Sequence, residues 1–336
     1  MNAVLSAILP VLAAAGLMLM NGVVLIYMLR KVLGHLHLRL GPVHLGPKGI
    51  LQTTADVLKL LSKEDIMPTG VDRWMYVLAP AVVFVPSLTA YAALPFSETL
   101  RIVRLETGLL FTFAVLSIVP LGVIMAGWAS ANKYSLIGAL RAAAQQIAYE
   151  VPLLLSVLPV VMIVGSLDLG EIVAFQSGVW MGILPRWLVL LLFPSFVIFL
   201  VAALCELNQT PFDMSEAESE LVAGFATEYS SMKFGLIFLS EFSNSFVISA
   251  LAVTMFFGGW TLPFLPESVV APLAPVIFVL KTYIGIFVLM WIRGTLPRVR
   301  IDQLMNLGWK WLIPASLVWI VLVGVVMKLA AVGGVS

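Results

Sequence analysis

Eight apolar segments, each long enough to cross a lipid bilayer, decide what this chain can fold into. They fall near residues 4–28, 75–95, 109–129, 147–164, 187–206, 234–257, 273–292 and 311–332. At about 1.5 Å of helical rise per residue, roughly 20 residues match a hydrocarbon core of about 30 Å. The runs are continuous, whereas strands of a membrane barrel alternate apolar and polar residues over short stretches. Composition points the same way: the 336 residues are 61% hydrophobic and 11% charged, where a soluble domain carries about 25% charged residues. The expectation is an all-α integral membrane protein, a single polytopic domain over 1–336, with about eight transmembrane helices. The N-terminus lacks the basic region of a cleaved signal peptide, so residues 4–28 read as a permanent first span.

Several function classes drop out early. A net charge of +1 gives no bulk attraction for nucleic acid. The one cysteine, Cys205, excludes an internal disulfide and a Cys-ligated cluster held by this chain alone. The three histidines, His35, His37 and His44, fall in one polar loop, so no span offers a histidine to a haem. His35 and His37 have no acidic or cysteine neighbour to complete a metal site. Redox chemistry here would need a diffusible cofactor or partner subunits.

Basic residues sort to one side of the spans. The first, third, fifth and seventh loops hold most of them, among them Arg30, Lys31, Arg39, Lys133, Arg141, Lys233, Arg293, Arg298 and Arg300, against Arg101, Arg104, Arg186 and Lys328 on the other side. The positive-inside rule puts the odd loops in the cytoplasm and both termini outside. The first loop contains two Gly-Pro turns, at 41–42 and 46–47, then a helical pattern near 49–62. Ile50, Leu51, Thr54, Val57, Leu58 and Leu61 share one face; Gln52, Asp56, Lys59 and Lys63 share the other. This amphipathic helix is too short and too charged to span and is expected along the membrane interface or against the bundle. The third loop is expected over 130–149, leading into Glu150 and Pro152.

One stretch runs against the charge bias of its side. Residues 206–233 form an acidic cytoplasmic loop, with six of the chain's 18 carboxylates between Glu206 and Glu228: Glu206, Asp213, Glu216, Glu218, Glu220 and Glu228. Only Arg186 and Lys233 lie nearby. Asp213-Met-Ser-Glu216 has the form of a capping box and predicts a helix from Met214 to about Tyr229. Glu216 and Glu220 are four apart and share a face, so burial together favours a retained proton on one of them. A solvated acidic helix is the simpler reading. Apolar Leu221, Val222 and Phe225, and flanking Glu206 and Glu241 inside spans, favour a partly buried line of carboxylates. Glu241 and Lys281 lie inside apolar runs, where ionisable residues mark function by default; a structural Glu–Lys pair between helices is the alternative. The last odd loop, Arg293 to Asp302, carries Arg298 and Arg300 and has the charge to clamp an acidic partner or the Glu206–Glu228 stretch.

These pieces, in this order, resemble a known family. Arg39-Leu-Gly-Pro, Leu45-Gly-Pro-Lys-Gly-Ile-Leu-Gln52, Ala55-Asp56, Lys59-Leu, Gly127-Trp-Ala-Ser, Leu140-Arg-Ala, Tyr149-Glu-Val, Thr210-Pro-Phe-Asp213, Glu218-Ser-Glu-Leu-Val222, Glu228-Tyr, Pro297-Arg298 and Asp302-Gln-Leu-Met are similar to motifs of the NuoH family. These are the quinone-tunnel membrane subunits of respiratory complex I, the proton-pumping NADH:quinone oxidoreductase. The resemblance covers nearly the whole chain. It implies that quinone, ubiquinone or menaquinone, enters from the membrane beside the first span and the amphipathic helix, and is reduced in a partner subunit by an iron–sulfur cluster. It implies an acidic proton-coupling path at Asp56, Glu150, Glu206, Glu216, Glu220, Glu228 and Glu241. It implies a quinone cavity and its loops at Arg39, Asp56, Phe225, Arg293, Arg298 and Arg300, with Arg141 at a further basic position. No metal or iron–sulfur cluster is expected on this chain. The implied partners are the peripheral iron–sulfur and quinone-pocket subunits, a small membrane subunit, antiporter-like subunits and membrane lipid, in a bacterial inner membrane. The chain departs from the family pattern at Leu29 (usually Glu), Gln209 (usually Arg), Phe242 (usually Tyr) and Ile301 (usually Tyr). The residues alone leave two other readings open: the related membrane subunit of a membrane-bound hydrogenase, and a lone secondary transporter, although no internal repeat is visible.

Overall fold

A computed structural model describes residues 2–180, 184–214, 221–263 and 267–332. The chain runs through α1 (Asn2–Leu36), α2 (Gln52–Ser62), α3 (Arg73–Ala93), α4 (Gly108–Leu116), α5 (Val119–Ala129), α6 (Lys133–Val164) and α7 (Leu169–Phe175). It continues through α8 (Leu188–Leu191), α9 (Phe193–Glu206), α10 (Ser231–Phe256), α11 (Glu267–Thr295), α12 (Ile301–Asn306) and α13 (Ile313–Val332). Among the described residues, seven helical segments are long and apolar enough to cross a membrane. The chain is a multi-pass helical membrane protein.

Prolines divide two of the expected spans. Pro120 separates α4 from α5 at Ser117–Ile118, and Pro194 separates α8 from α9 at Leu192. A proline lacks the N–H that would continue the ladder and clashes with the carbonyl four residues back. The fifth apolar segment is therefore a broken pair, with α9 contributing 14 residues that end on Glu206.

The third loop departs from expectation. Residues 133–164 are one 32-residue helix, started by the Asn132 side chain accepting from the Tyr134 N–H and stopped at Gly165 in the left-handed region. Lys133, Arg141, Gln145 and Glu150 lower the local hydropathy, but Ala139, Ala142, Ala143 and Ala148 keep helix propensity high and allow close packing. The connection shrinks to residues 130–132.

The acidic loop also differs. Glu216, Glu218 and Glu220 lie outside the described residues. After them the helix expected to reach Tyr229 does not persist. Val222 (φ 65°) and Gly224 (φ 58°) turn left-handed, and only a short 3₁₀ turn, Gly224–Ala226, follows. Gly138 explains the crowding: a Cβ on it would come within 2.9 Å of the Gly224 Cα, so backbone meets backbone where α6 passes this loop.

Helix α10 is the most buried span, packed on α1, α3 and α11, while α6 packs on α5, α9 and α13. The last span is only 11% buried and lies at the rim. The odd loops meet at one end. Asp213 pairs with Arg298, Lys233 with Asp65, and Asn132 donates to Glu228. The even loops meet at the other, where Arg101 pairs with Asp168 and Gln176 bonds Thr254 O and Gly258 N. This alternation is what the counted spans require. Helix α2 turns Thr53 inward and leaves Leu58 and Leu61 exposed, with Ile50 and Leu51 just before it, an apolar face directed away from the bundle.

Candidate functional site

The polar core of the bundle lies where α6, α9 and α10 converge. Glu206 is the last residue of α9, so it stands where the helix gives way to the Leu207–Met214 turn. Gln145 on α6 holds that turn by donating to Cys205 O and Phe212 O, both at 2.7 Å. Gln146 donates to Glu206 O at 3.4 Å. From the far side, Arg298 pairs with buried Asp213 at 3.2 Å and Val299 N–H donates to Pro211 O. Asn208 adopts φ 49° within this turn. The turn is thus held from two sides, by α6 and by the 298–299 segment.

Beneath it is a cavity of about 40 Å³, lined by Glu206, Asn208, Phe225, Gln146, Glu241 and Asn244. Glu206 Oε2, Asn208 Oδ1, Gln146 Oε1 and Asn244 Oδ1 are buried around this region without a hydrogen-bond partner among the described residues. All four atoms are acceptors. Buried acceptors without donors are costly, and the space suits water, which needs about 10–15 Å³ and several polar partners. Water or a carboxyl proton supplies the missing donors. Glu150 lies within electrostatic reach of Glu206, and Glu241 within reach of Arg293 and Asp213. Glu206 and Glu241, on two helices, thus line one small polar space, and Glu150 stands outside its lining.

The structure separates the other expected residues from this centre. Asp56 pairs with Arg30 and accepts from Gln52, between α1 and α2. Glu228 lies at the odd-loop end, with its Oε1 on Asn132 Nδ2 and its backbone carbonyl accepting from Tyr76 OH at 2.6 Å. Beside it Tyr229 stacks on Tyr76, and burial pushes the Tyr229 phenol up, so it stays protonated. Phe225 is buried against the water-sized cavity, too small for a quinone ring. Arg298 serves Asp213; Arg39 and Arg300 are exposed. Glu216 and Glu220 lie outside the described residues. Lys281 does not pair with Glu241: its Nζ donates to Phe257 O at 2.8 Å and Thr261 O at 2.7 Å, capping the carbonyl end of α10. The two intramembrane charges do not meet because Glu241 lies in the first half of α10, well before the Phe257 carbonyl that Lys281 caps.

Sequence reasoning missed the amides: Gln145, Gln146, Asn208 and Asn244. Their signal is their position inside or beside apolar runs, where an amide is almost as unusual as a carboxylate. Arg293 lines a second, smaller space of about 10 Å³ together with Leu29, Gln209 and Phe242. Three of the four departures from the family pattern therefore adjoin one another. Gln209 Nε2 donates to Ser245 Oγ at 2.8 Å, and its Oε1 has no partner among the described residues.

A helical membrane protein with a buried carboxylate and amide cluster at one end is the class this fold and site define. A family model described as NADH dehydrogenase matches residues 9–324. An NADH-quinone oxidoreductase subunit of Brevibacillus brevis is 48% identical over 303 residues, covering 90% of this chain and 88% of the relative. The corresponding protein of Rhodospirillum centenum, which carries the same name, is 47% identical over 302 residues, covering 89% and 87%. That of Geobacillus kaustophilus is 49% identical over 302 residues, covering 88% and 86%. The chain belongs to the NADH dehydrogenase family.

Proposed function

We propose that this chain is the membrane subunit of a proton-pumping NADH-quinone oxidoreductase, contributing the quinone access path and the first part of the proton-coupling path. The observation that carries the coupling is the cavity between Glu206 and Glu241, ringed by buried acceptors that require donors. Reduction of quinone in an adjoining subunit changes the charge at the odd-loop end. Glu206, Glu241 and Glu150 respond by taking up or passing protons through water. The Leu207–Met214 turn, held by Gln145 and by Asp213–Arg298, transmits the change. Glu228, and Glu216 and Glu220 in the acidic loop, extend the same path.

Quinone would approach between α1 and α2, where Asp56 and Arg39 stand, towards Phe225 and the loop bearing Arg293, Arg298 and Arg300. The exposed apolar face of α2 suits an interfacial helix at such an opening. The chain would lie in a bacterial inner membrane, with odd loops cytoplasmic and both termini periplasmic. Its partners would be peripheral iron–sulfur and quinone-pocket subunits, a small membrane subunit and antiporter-like subunits. It would hold no metal or cluster itself.

Mild-detergent purification through a C-terminal tag, followed by mass spectrometry, tests the reading. The expected result is co-purified iron–sulfur and antiporter-like subunits with inhibitor-sensitive quinone reduction. A nickel-hydrogenase partner, or recovery of a lone stable chain, would overturn it.

A further inference from the structure

A second cavity lies further along α10 than the polar one, beside Ile248, Ala252 and Phe257 where the first touches Ser240, Glu241 and Asn244. It has a volume of about 380 Å³, between α9, α10 and α11, with Phe199, Ala252, Val288 and Leu289 among its walls and Lys281 and Trp187 at one end. Along α11 the lining runs from Lys281 to Leu289, about 12 Å at helical rise. The outer wall residues Ile284 and Val288 are exposed, so the cavity opens sideways towards the hydrocarbon.

Lys281 makes this more than an apolar groove. Two of its three N–H donors go to Phe257 O and Thr261 O, and its ammonium stands 5.0 Å from the centre of the Trp187 ring. These contacts fix the head of the side chain at the level where α10 ends. None of them carries a negative charge, and among the described residues no carboxylate lines the cavity. A partly buried ammonium without a counter-charge is costly, and the cavity beside it is uncharged and apolar. The occupant that satisfies both features is an amphiphile with an anionic head and a hydrocarbon tail.

We propose that this cavity is a binding site for an anionic phospholipid, with one acyl chain between α9 and α11 and its phosphate on the third N–H of Lys281. Size supports one chain. A volume of about 380 Å³ over about 12 Å leaves a cross-section of about 30 Å². A partner helix, about 10 Å across, needs more than twice that. The site is independent of quinone chemistry and of the carboxylate cluster. Its role is to seal the gap between α9 and α11 and to anchor the carbonyl end of α10, the helix that carries Glu241.

The test uses the assembled complex, delipidated and returned to nanodiscs of phosphatidylglycerol or of phosphatidylcholine. Native mass spectrometry should retain phosphatidylglycerol and release phosphatidylcholine. Lys281→Gln should weaken that retention by about tenfold, the scale of one hydrogen bond to a charged group. Ala252→Phe, which fills the cavity, should abolish it. Should a variant fail to assemble, a phosphatidylglycerol with a photoreactive acyl chain on the unmodified complex gives the answer: labelling of α9 and α11 peptides, competed by phosphatidylglycerol and not by phosphatidylcholine. Equal retention of both lipids, retention unaffected by Lys281→Gln, competition by added quinone, or crosslinking of the site to another subunit would each overturn the proposal.

Discussion

Helix α10 borders two cavities at different levels along its length, and the two are opposite in character. The one at Glu206 and Glu241 is about 40 Å³ and ringed by oxygen acceptors; the one at Lys281 is about 380 Å³ and walled by hydrocarbon. The first has carboxylates in want of donors, the second a cation without an anion. A small polar space holds water and protons, which move; a large apolar space holds a tail, which stays. The same helix therefore borders a polar space at one level and an apolar one at another. Ionisable residues in both are costly to keep in a membrane and so mark use, but of different kinds.

The comparison can be broken by substitutions on either side. The largest effect is expected from Glu206→Gln, which keeps shape and removes the proton. Quinone-linked proton pumping in vesicles should fall by roughly 100-fold, the scale of a positioned acid–base group, while the complex still assembles. Gln145→Leu comes next. It removes one of two donors from Cys205 O and from Phe212 O, which keep the Asn208 and Met214 N–H groups, so the loss is about 1 kcal/mol per bond and should lower the melting temperature of the purified complex and the yield of assembled material. Asp213 and Arg298 are coupled across a partly exposed contact. A double-mutant cycle with Asp213→Asn and Arg298→Gln should give about 1 kcal/mol, declining with salt. Lys233→Gln removes a pair with half-exposed Asp65 and should shift stability by about 0–1 kcal/mol. At the apolar cavity, Ala252→Leu should leave the pumping ratio unchanged. A loss comparable to that of Glu206→Gln would erase the distinction between the two cavities.

The spans are legible in the sequence because each is a continuous apolar run, and the side of each loop because arginine and lysine cluster by alternation. Individual carboxylates stand out because they are rare. What the sequence hides are the connections between distant residues. Gln145 meets Cys205 and Phe212 sixty or more positions later, and nothing local predicts that meeting. Charged residues at the start of α6 conceal 14 residues of helix, since hydropathy measures lipid contact and this helix turns that part to protein. A capping pattern points to a helix from Met214 to Tyr229, but the close approach of Gly138 to Gly224 imposes a turn instead. The Glu241–Lys281 pair, the alternative the sequence left open, does not form, because helix periodicity gives the face of a residue and not the level at which it meets a neighbour. Leu29, Gln209 and Phe242 look like scattered departures along the chain; folded, they surround Arg293 in one place.

The central claim is that the Glu206–Glu241 cavity couples quinone chemistry to proton movement. The direct measurement is the ratio of protons pumped to NADH oxidised in proteoliposomes of the assembled complex, with Glu206→Gln, Glu241→Gln and the unmodified chain side by side. The account predicts that both variants assemble and lose the coupled ratio. Unmodified turnover and an unmodified ratio in both would contradict it.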